Sequence, residues 1–133
     1  MNKNEIVKII SEVLVPAGFK RKGNYWIFNG QELIKKVDLQ RSQFGNFYYI
    51  NYGYIINALP LTLSNRHIYK RVTSLDKDER TRINELLNLE NNIADEVRTQ
   101  ELRKVLSENL LQPLSAINTE ADLLDAIKKN VTR

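Results

Sequence analysis

His67 is the one side chain in the sequence that titrates near neutral pH, and the chemistry that it could support is hydrolysis. A histidine can serve as the general base for a serine nucleophile, and Ser42 and Ser64 are the candidates in the same half of the chain. No serine has the flanking glycines of a nucleophile elbow. We therefore predict that His67 is a strand-end residue with a structural hydrogen bond, and keep an uncharacterised hydrolase as an alternative.

Metal, thiol and nucleotide chemistry find no support in the sequence. One histidine and no cysteine leave too few of the usual zinc ligands and no thiol nucleophile. The carboxylates are spread over predicted helix surfaces, without the close apolar pairing that acid catalysis needs. The five glycines follow neither the GxGxxG nor the P-loop spacing. We expect no cofactor and no metal, and favour a non-enzymatic role.

Composition is that of an ordinary globular domain, but charge is unevenly distributed. The 133 residues are 42% hydrophobic and 27% charged, which predicts a single domain, 1–133, with one core. No apolar run could span a membrane and residues 1–8 do not form a signal peptide, so we expect a cytoplasmic protein. Residues 1–75 carry 11 Lys and Arg against 4 Asp and Glu, and residues 76–133 carry 9 against 12. The basic half could meet an anionic partner or simply be a solvated surface.

The elements that must position these side chains begin with a helix and a series of strands. Apolar residues recur at helical spacing over residues 6–14, and Pro16 with Gly18 ends this helix. Residues 20–23 are interpreted as a basic connector. Strand-favouring runs then cover residues 25–28, 33–42 and 49–56, and residues 66–73 are a candidate fourth strand.

Turn and side-chain patterns add detail to the predicted sheet. Asn29-Gly30 predicts a tight hairpin turn, because both residues tolerate positive φ. The run at residues 49–56 has aromatic side chains on both of its faces, so the sheet is either covered on both sides or presents an aromatic surface to a partner. We favour mostly buried aromatic residues, with function at the polar rim of the sheet.

The second half of the chain is predicted to be helical. Asp76 with Glu79, and Thr119 with Asp122, have the spacing of capping boxes, while Pro113 is expected to bend or end its helix. The apolar pattern between these two boxes fits either one long helix or two short ones near its start. An N-terminal helix, an antiparallel sheet of three or four strands and C-terminal helices packed on the sheet place the chain in the α+β class.

A series of short motifs runs through the first half of the chain. It comprises AGFKRKG at 17–23, Trp26, VDLQRS at 37–42, Phe44-Gly45 and YINYG at 49–53, followed by His67 and Arg71. This series resembles a bacterial family of domains of unknown function, DUF family 4304. The resemblance implies a bacterial source and a shared sheet scaffold, and it carries over no activity.

The resemblance also singles out polar residues that a sheet by itself does not require: Gln40, Arg41, Ser42, Asn51, His67 and Arg71. We expect them to converge at one end of the sheet. They would form either a hydrogen-bond network that fixes the hairpin register or a pocket for an anionic group, with Arg41 and Arg71 as its charges.

Our leading hypothesis is a small interaction domain that binds another protein, including an immunity-like role. It rests on the lack of a catalytic set and on the many tyrosines and arginines, which are enriched at binding hot spots. The alternative partner is nucleic acid, since helix, sheet and helix follow the order of double-stranded RNA-binding domains. Those domains place lysines where this chain has Asp76, Asp78 and Glu79. No oligomeric state is predicted.

Overall fold

A helix, a five-stranded sheet and a set of C-terminal helices make up the fold in the computed structural model, which describes residues 1–59 and 68–131. The elements are α1 (Lys3–Leu14), β1 (Lys20–Lys22), β2 (Tyr25–Asn29), β3 (Leu33–Arg41), β4 (Tyr48–Ile56), β5 (Ile68–Arg71), α2 (Lys77–Leu87), α3 (Asp95–Leu106), α4 (Gln112–Ala116) and α5 (Glu120–Val131). The predicted α+β class is confirmed.

The sheet is an antiparallel meander with the strand order β1-β2-β3-β4-β5. It has five strands, more than the three or four predicted, because residues 20–22 pair with β2 instead of forming a connector. Their three consecutive cations gave no alternating strand pattern. Charged residues on a short edge strand discourage pairing with other chains, so this composition suits the position.

The predicted turn at Asn29-Gly30 is wrong by two residues. The Gly30 N–H donates to the Leu33 carbonyl at 2.9 Å, so the turn consists of Gln31 and Glu32, both with negative φ. The Asn57 side chain donates to the carbonyls of Gly30 and Gln31 at 3.1 and 2.9 Å and closes the turn from outside. Gly30 is needed for close approach, since a Cβ there would lie 2.6 Å from the Leu33 carbonyl oxygen.

Side-chain caps begin the two helices at the predicted positions. The Asp76 carboxylate accepts the Glu79 N–H at 2.8 Å, and the Thr119 hydroxyl accepts the Asp122 N–H at 3.1 Å. The apolar pattern after Asp76 belongs to two helices, α2 and α3. Pro113 does not end the helical run, because α3 passes through a π-helical turn, Ser107–Leu111, into α4. The wider turn lies just where proline disturbs the regular hydrogen-bond ladder.

One face of the sheet packs against the helices and forms the core. It carries Leu33, Val37 and Leu39 of β3 with Ile50, Tyr52 and Tyr54 of β4, all of them buried. Trp26 of β2 is 0% exposed, and its indole N–H donates to the Ser11 hydroxyl of α1 at 3.0 Å. The predicted alternation of β3 is therefore confirmed, with Val37 opposite both Trp26 and Tyr52.

Lys35 is a buried cation on the same face. It is 5% exposed, donates to the Asn118 side-chain carbonyl at 2.8 Å and lies 5.2 Å from the Phe28 ring centroid. Burial lowers the pKa of Lys35, and the attraction of Asp122 only partly opposes this effect. A lysine whose folded pKa is depressed costs stability while it is protonated, and this cost disappears as the pH rises through the folded pKa toward the unfolded value.

We therefore expect Lys35→Met to raise the free energy of unfolding at pH 7 by about 1 kcal/mol. Methionine keeps the buried apolar stem, and the exposed Asn118 can bond to water. The gain should shrink as the pH approaches 10.5, the ordinary lysine pKa. Thermal unfolding at several pH values measures it, with the exposed Lys20→Met as the control that should show little change. A loss of stability at pH 7 would contradict the argument.

Candidate functional site

The sheet face that points away from the helices, here called the outer face, carries cations and tyrosines. The strand registers place these residues at its centre: Lys36, Asp38, Gln40, Tyr49, Asn51 and Arg71. Lys20, Lys22, Tyr25 and Tyr69 lie around them. Among these ten side chains, four cations accompany one carboxylate, so the outer face is basic.

The aromatic residues divide between the two faces. Tyr48, Tyr52 and Tyr54 of β4 are buried on the helix side, as predicted. Tyr49 is half-buried on the outer face, and Tyr69 of β5 is 51% exposed there. The outer face thus presents tyrosines among cations, while the other tyrosines of β4 lie in the core.

Asn51 is the centre of a hydrogen-bond network across three strands. It is 1% exposed, and its side-chain amide donates to the Asp38 carboxylate at 3.1 Å and to the Gln40 side-chain carbonyl at 2.9 Å. Its own side-chain carbonyl accepts from Arg71 Nε at 3.2 Å. One buried amide therefore holds β3, β4 and β5 in register and orients Arg71.

Arg71 and Lys36 lie over tyrosine rings. Arg71 Cζ is 3.9 Å from the Tyr49 ring centroid, and Lys36 Nζ is 4.7 Å from that of Tyr25. A cation over an aromatic face is attracted by the electron density of the ring. Two tyrosine rings on the outer face are thus each covered by a cation, and the guanidinium of Arg71 is held by the Tyr49 ring below it and the Asn51 amide beside it.

The structure brings together some of the predicted site residues and separates others. Gln40, Asn51 and Arg71 meet in the network described above. Arg41 follows Gln40 and lies on the opposite face, in register with Tyr48, so the two arginines do not share one pocket. Ser42 is buried in the loop after β3. His67 lies outside the described residues.

Asp38 and Tyr49 belong to the site and were missed in the sequence. Asp38 pairs with Asn51 across the hairpin, and Tyr49 pairs with Gln40. The signal was present, because side chains two apart on a strand share a face and Asp38 is two residues before Gln40. The exact hairpin register was needed to place them opposite Asn51 and beneath Arg71.

Comparison with known families places the sheet within a recognised domain. The family model of a domain of unknown function, DUF4304, matches residues 10–116. The chain belongs to this family. No curated protein and no solved structure matches the chain significantly. The matched region includes all five strands of the DUF4304 domain and hence the whole outer face, whereas α5 lies beyond it.

The loop between β3 and β4 of the DUF4304 domain presents Phe44, which is 83% exposed. The Ser42 N–H donates to the Phe47 carbonyl at 2.8 Å, and the Ser42 hydroxyl accepts the Phe44 N–H at 3.1 Å. The Leu89 N–H, after α2, donates to the Asn46 carbonyl at 2.9 Å. Phe44 therefore lies on a loop that is tied both to itself and to the helical layer.

A surface hollow of 360 Å³ joins this loop to the edge of the outer face. It is lined by Gln40, Arg41, Ser42, Gln43, Phe44 and Tyr49. Gln40 and Tyr49 also contact Arg71, so the hollow and the Asn51 network are neighbours. Arg41 reaches the rim of the site from the other side of the sheet.

Metal-ligand clusters and membrane-spanning helices are both absent from the part of the chain that the structure describes. Within it, no three His, Cys, Asp or Glu side chains are grouped so that they could hold a metal ion. None of its helices combines the length and the apolar composition that a membrane span requires.

Proposed function

We propose that this DUF4304 domain is an interaction domain that binds an acidic surface of another protein through the outer face. The observation that carries the proposal is Arg71, which is exposed, oriented by Asn51 and stacked on Tyr49. Arginine and tyrosine dominate binding hot spots, and an ordered side chain loses less entropy on binding than a mobile one. The surrounding lysines favour an acidic partner through charge complementarity.

The same observation favours a protein over single-stranded nucleic acid. Proteins that bind single strands on a sheet stack successive bases on open aromatic faces. Here Arg71 covers the face of Tyr49 and Lys36 covers the face of Tyr25. A base would have to displace each cation from its ring before it could stack.

The hydrolase alternative gains no support from the described residues. Ser42 is 8% exposed, and its hydroxyl accepts a hydrogen bond from the Phe44 N–H within its own loop. Its role there is to shape the loop, which argues against a nucleophile that must reach a substrate.

A charge-reversal pair tests the proposal. Lys20→Glu with Lys22→Glu reverses two exposed charges at the edge of the outer face, and Lys8→Glu with Lys104→Glu makes the same net change on exposed helix positions. Each domain is used as bait in extracts of the source organism, with and without nuclease treatment. We expect one protein to be recovered stoichiometrically by the wild type and by the helix variant, and at least about tenfold less by the outer-face variant.

The proposal fails if the same proteins are recovered by all three baits, or if recovery requires nucleic acid. Nuclease-sensitive recovery that depends on Lys20 and Lys22 would instead assign the outer face to nucleic acid. Identification of the recovered protein as a toxin would make the role immunity-like.

A further inference from the structure

We infer that Arg71 is a receptor for a single side-chain carboxylate, an aspartate or glutamate of the partner, bound by both terminal nitrogens of the guanidinium. This inference rests on the proposed function, because it names the group that the acidic partner would insert at the outer face. It also has a test of its own, since it concerns the chemistry of one side chain.

The first support is the set of donors that Arg71 has left. A guanidinium carries five N–H donors. Nε donates to Asn51 at 3.2 Å, and Nη2 makes a long contact of 3.5 Å with Gln40. Among the described residues, Nη1 has no hydrogen-bond acceptor and Arg71 has no carboxylate in an ion pair. With respect to the described residues, the Nη1–Nη2 end is therefore available to an acceptor from outside, and none of their carboxylates pairs with the charge.

The second support is that the direction of the Nη1–Nη2 end of Arg71 is already fixed. Asn51 holds Nε, and Asn51 is itself fixed by Asp38 and Gln40. Arg71 Cζ lies 3.9 Å from the Tyr49 ring centroid, so the ring supports the guanidinium. Most exposed arginines must be ordered when they bind, which costs side-chain entropy. Arg71 has made these contacts before a ligand arrives.

The geometry suits a carboxylate better than a phosphate. A planar guanidinium forms two parallel hydrogen bonds with a planar carboxylate, and one positive charge balances one negative charge. A phosphate group carries more charge and gathers several donors. Lys36, the neighbouring cation in the centre of the outer face, lies over Tyr25 instead of beside Arg71.

Fluorescence anisotropy with a labelled oligoglutamate peptide tests the inference. We expect the wild type to bind it and a matched oligoglutamine peptide to show no binding. Arg71→Ala should weaken binding by at least about tenfold, and Arg71→Lys, which keeps the charge and loses the fork, by at least about fivefold. Arg80→Ala, an exposed arginine of α2, is the matched control and should bind like the wild type. Thermal unfolding verifies that each variant is folded.

Equal binding by Arg71→Lys and the wild type would show that charge alone acts, and would overturn the inference. Equal binding by Arg71→Ala, or tighter Arg71-dependent binding of a labelled single-stranded oligonucleotide, would do the same. The peptide experiment can fail while the bait experiment succeeds. If the Lys20→Glu, Lys22→Glu variant no longer recovers the partner protein but the Arg71 variants bind the peptide like the wild type, the interaction domain is supported and the carboxylate receptor is rejected.

Discussion

Arg98→Met is expected to lower the free energy of unfolding by about 3 kcal/mol or more. Arg98 is 2% exposed, and its terminal nitrogens donate to the carbonyls of Leu86, Asn88 and Asn91. The Leu86 carbonyl lies in the last turn of α2, where no helical N–H is available to it, and the other two carbonyls lie in the segment that follows. Methionine fills a similar volume and leaves the Leu86 carbonyl without a donor among the described residues, while the Asn88 and Asn91 carbonyls keep only the N–H groups of Asn91 and Ile93.

Removing the charge recovers part of this loss. Burial lowers the pKa of Arg98, with attraction from Asp95 opposing the effect, so the buried guanidinium itself costs solvation energy. Arg98 Nε is also buried without a hydrogen-bond partner among the described residues. The loss of the Arg98 hydrogen bonds, above all the one to the buried Leu86 carbonyl, should still dominate, because removing one side of a buried charged network is far more costly than replacing the whole network.

Urea unfolding measures the free energy of unfolding of Arg98→Met and the wild type, with Arg103→Met as the control on the same helix. Arg103 is exposed and pairs with Glu12, so its loss should cost under about 1 kcal/mol. Equal costs for the two variants would show that Arg98 does not organise the end of α2. Amide hydrogen exchange should also quicken at Leu89, whose N–H ties the Phe44 loop to the helices.

Trp26→Ala, the other variant with a large expected effect, should lower the free energy of unfolding by about 4 kcal/mol. The side chain is 0% exposed between the sheet and α1, and alanine would leave a cavity that the opposing Val37 cannot fill. The variant also removes the indole N–H that donates to Ser11. Denaturant unfolding followed by circular dichroism is the measurement, because Trp26 is the only tryptophan in the sequence and fluorescence is lost with it.

Two further variants separate packing from hydrogen bonding. Trp26→Phe keeps an aromatic ring and should retain more than half of the stability lost in Trp26→Ala, while Ser11→Ala alone should cost about 1 kcal/mol. A Trp26→Ala cost near that of Ser11→Ala would contradict a packing role. Trp26→Phe should still bind the oligoglutamate peptide, since Trp26 lies on the opposite face from Arg71.

The regular parts of the fold could be predicted because local chemistry determines them. The alternation of β3 follows from the demand that one face be apolar, and the caps at Asp76 and Thr119 follow from unpaired N–H groups at helix starts. The turn after β2 could not be placed in this way. Asn29-Gly30 has the local preference for a tight turn. The observed turn at Gln31 and Glu32 is instead accompanied by hydrogen bonds from Asn57, far along the chain, to the carbonyls of Gly30 and Gln31.

The candidate site was predictable in composition and less so in geometry. The predicted residues Gln40, Asn51 and Arg71 do meet. The predicted grouping of Arg41 with Arg71 is wrong, because neighbouring residues on a strand face opposite sides and alternation separates Arg41 from Gln40. That Asn51 is buried and that Arg71 stacks on Tyr49 depend on the pairing of three strands, which no local pattern determines.

The meander also determines the order in which the chain can assemble. Each strand pairs with its sequence neighbour, so most of the sheet can form by closing short loops, which costs little chain entropy. The ion pair between Glu12 and Arg103 joins residues 91 positions apart, and α1 packs on α3 across that distance. During synthesis, the strands can therefore pair before α3, the helix against which α1 packs, has been made. α1 can already contact the sheet through Trp26 and Ser11, but its packing is completed only when α3 is made.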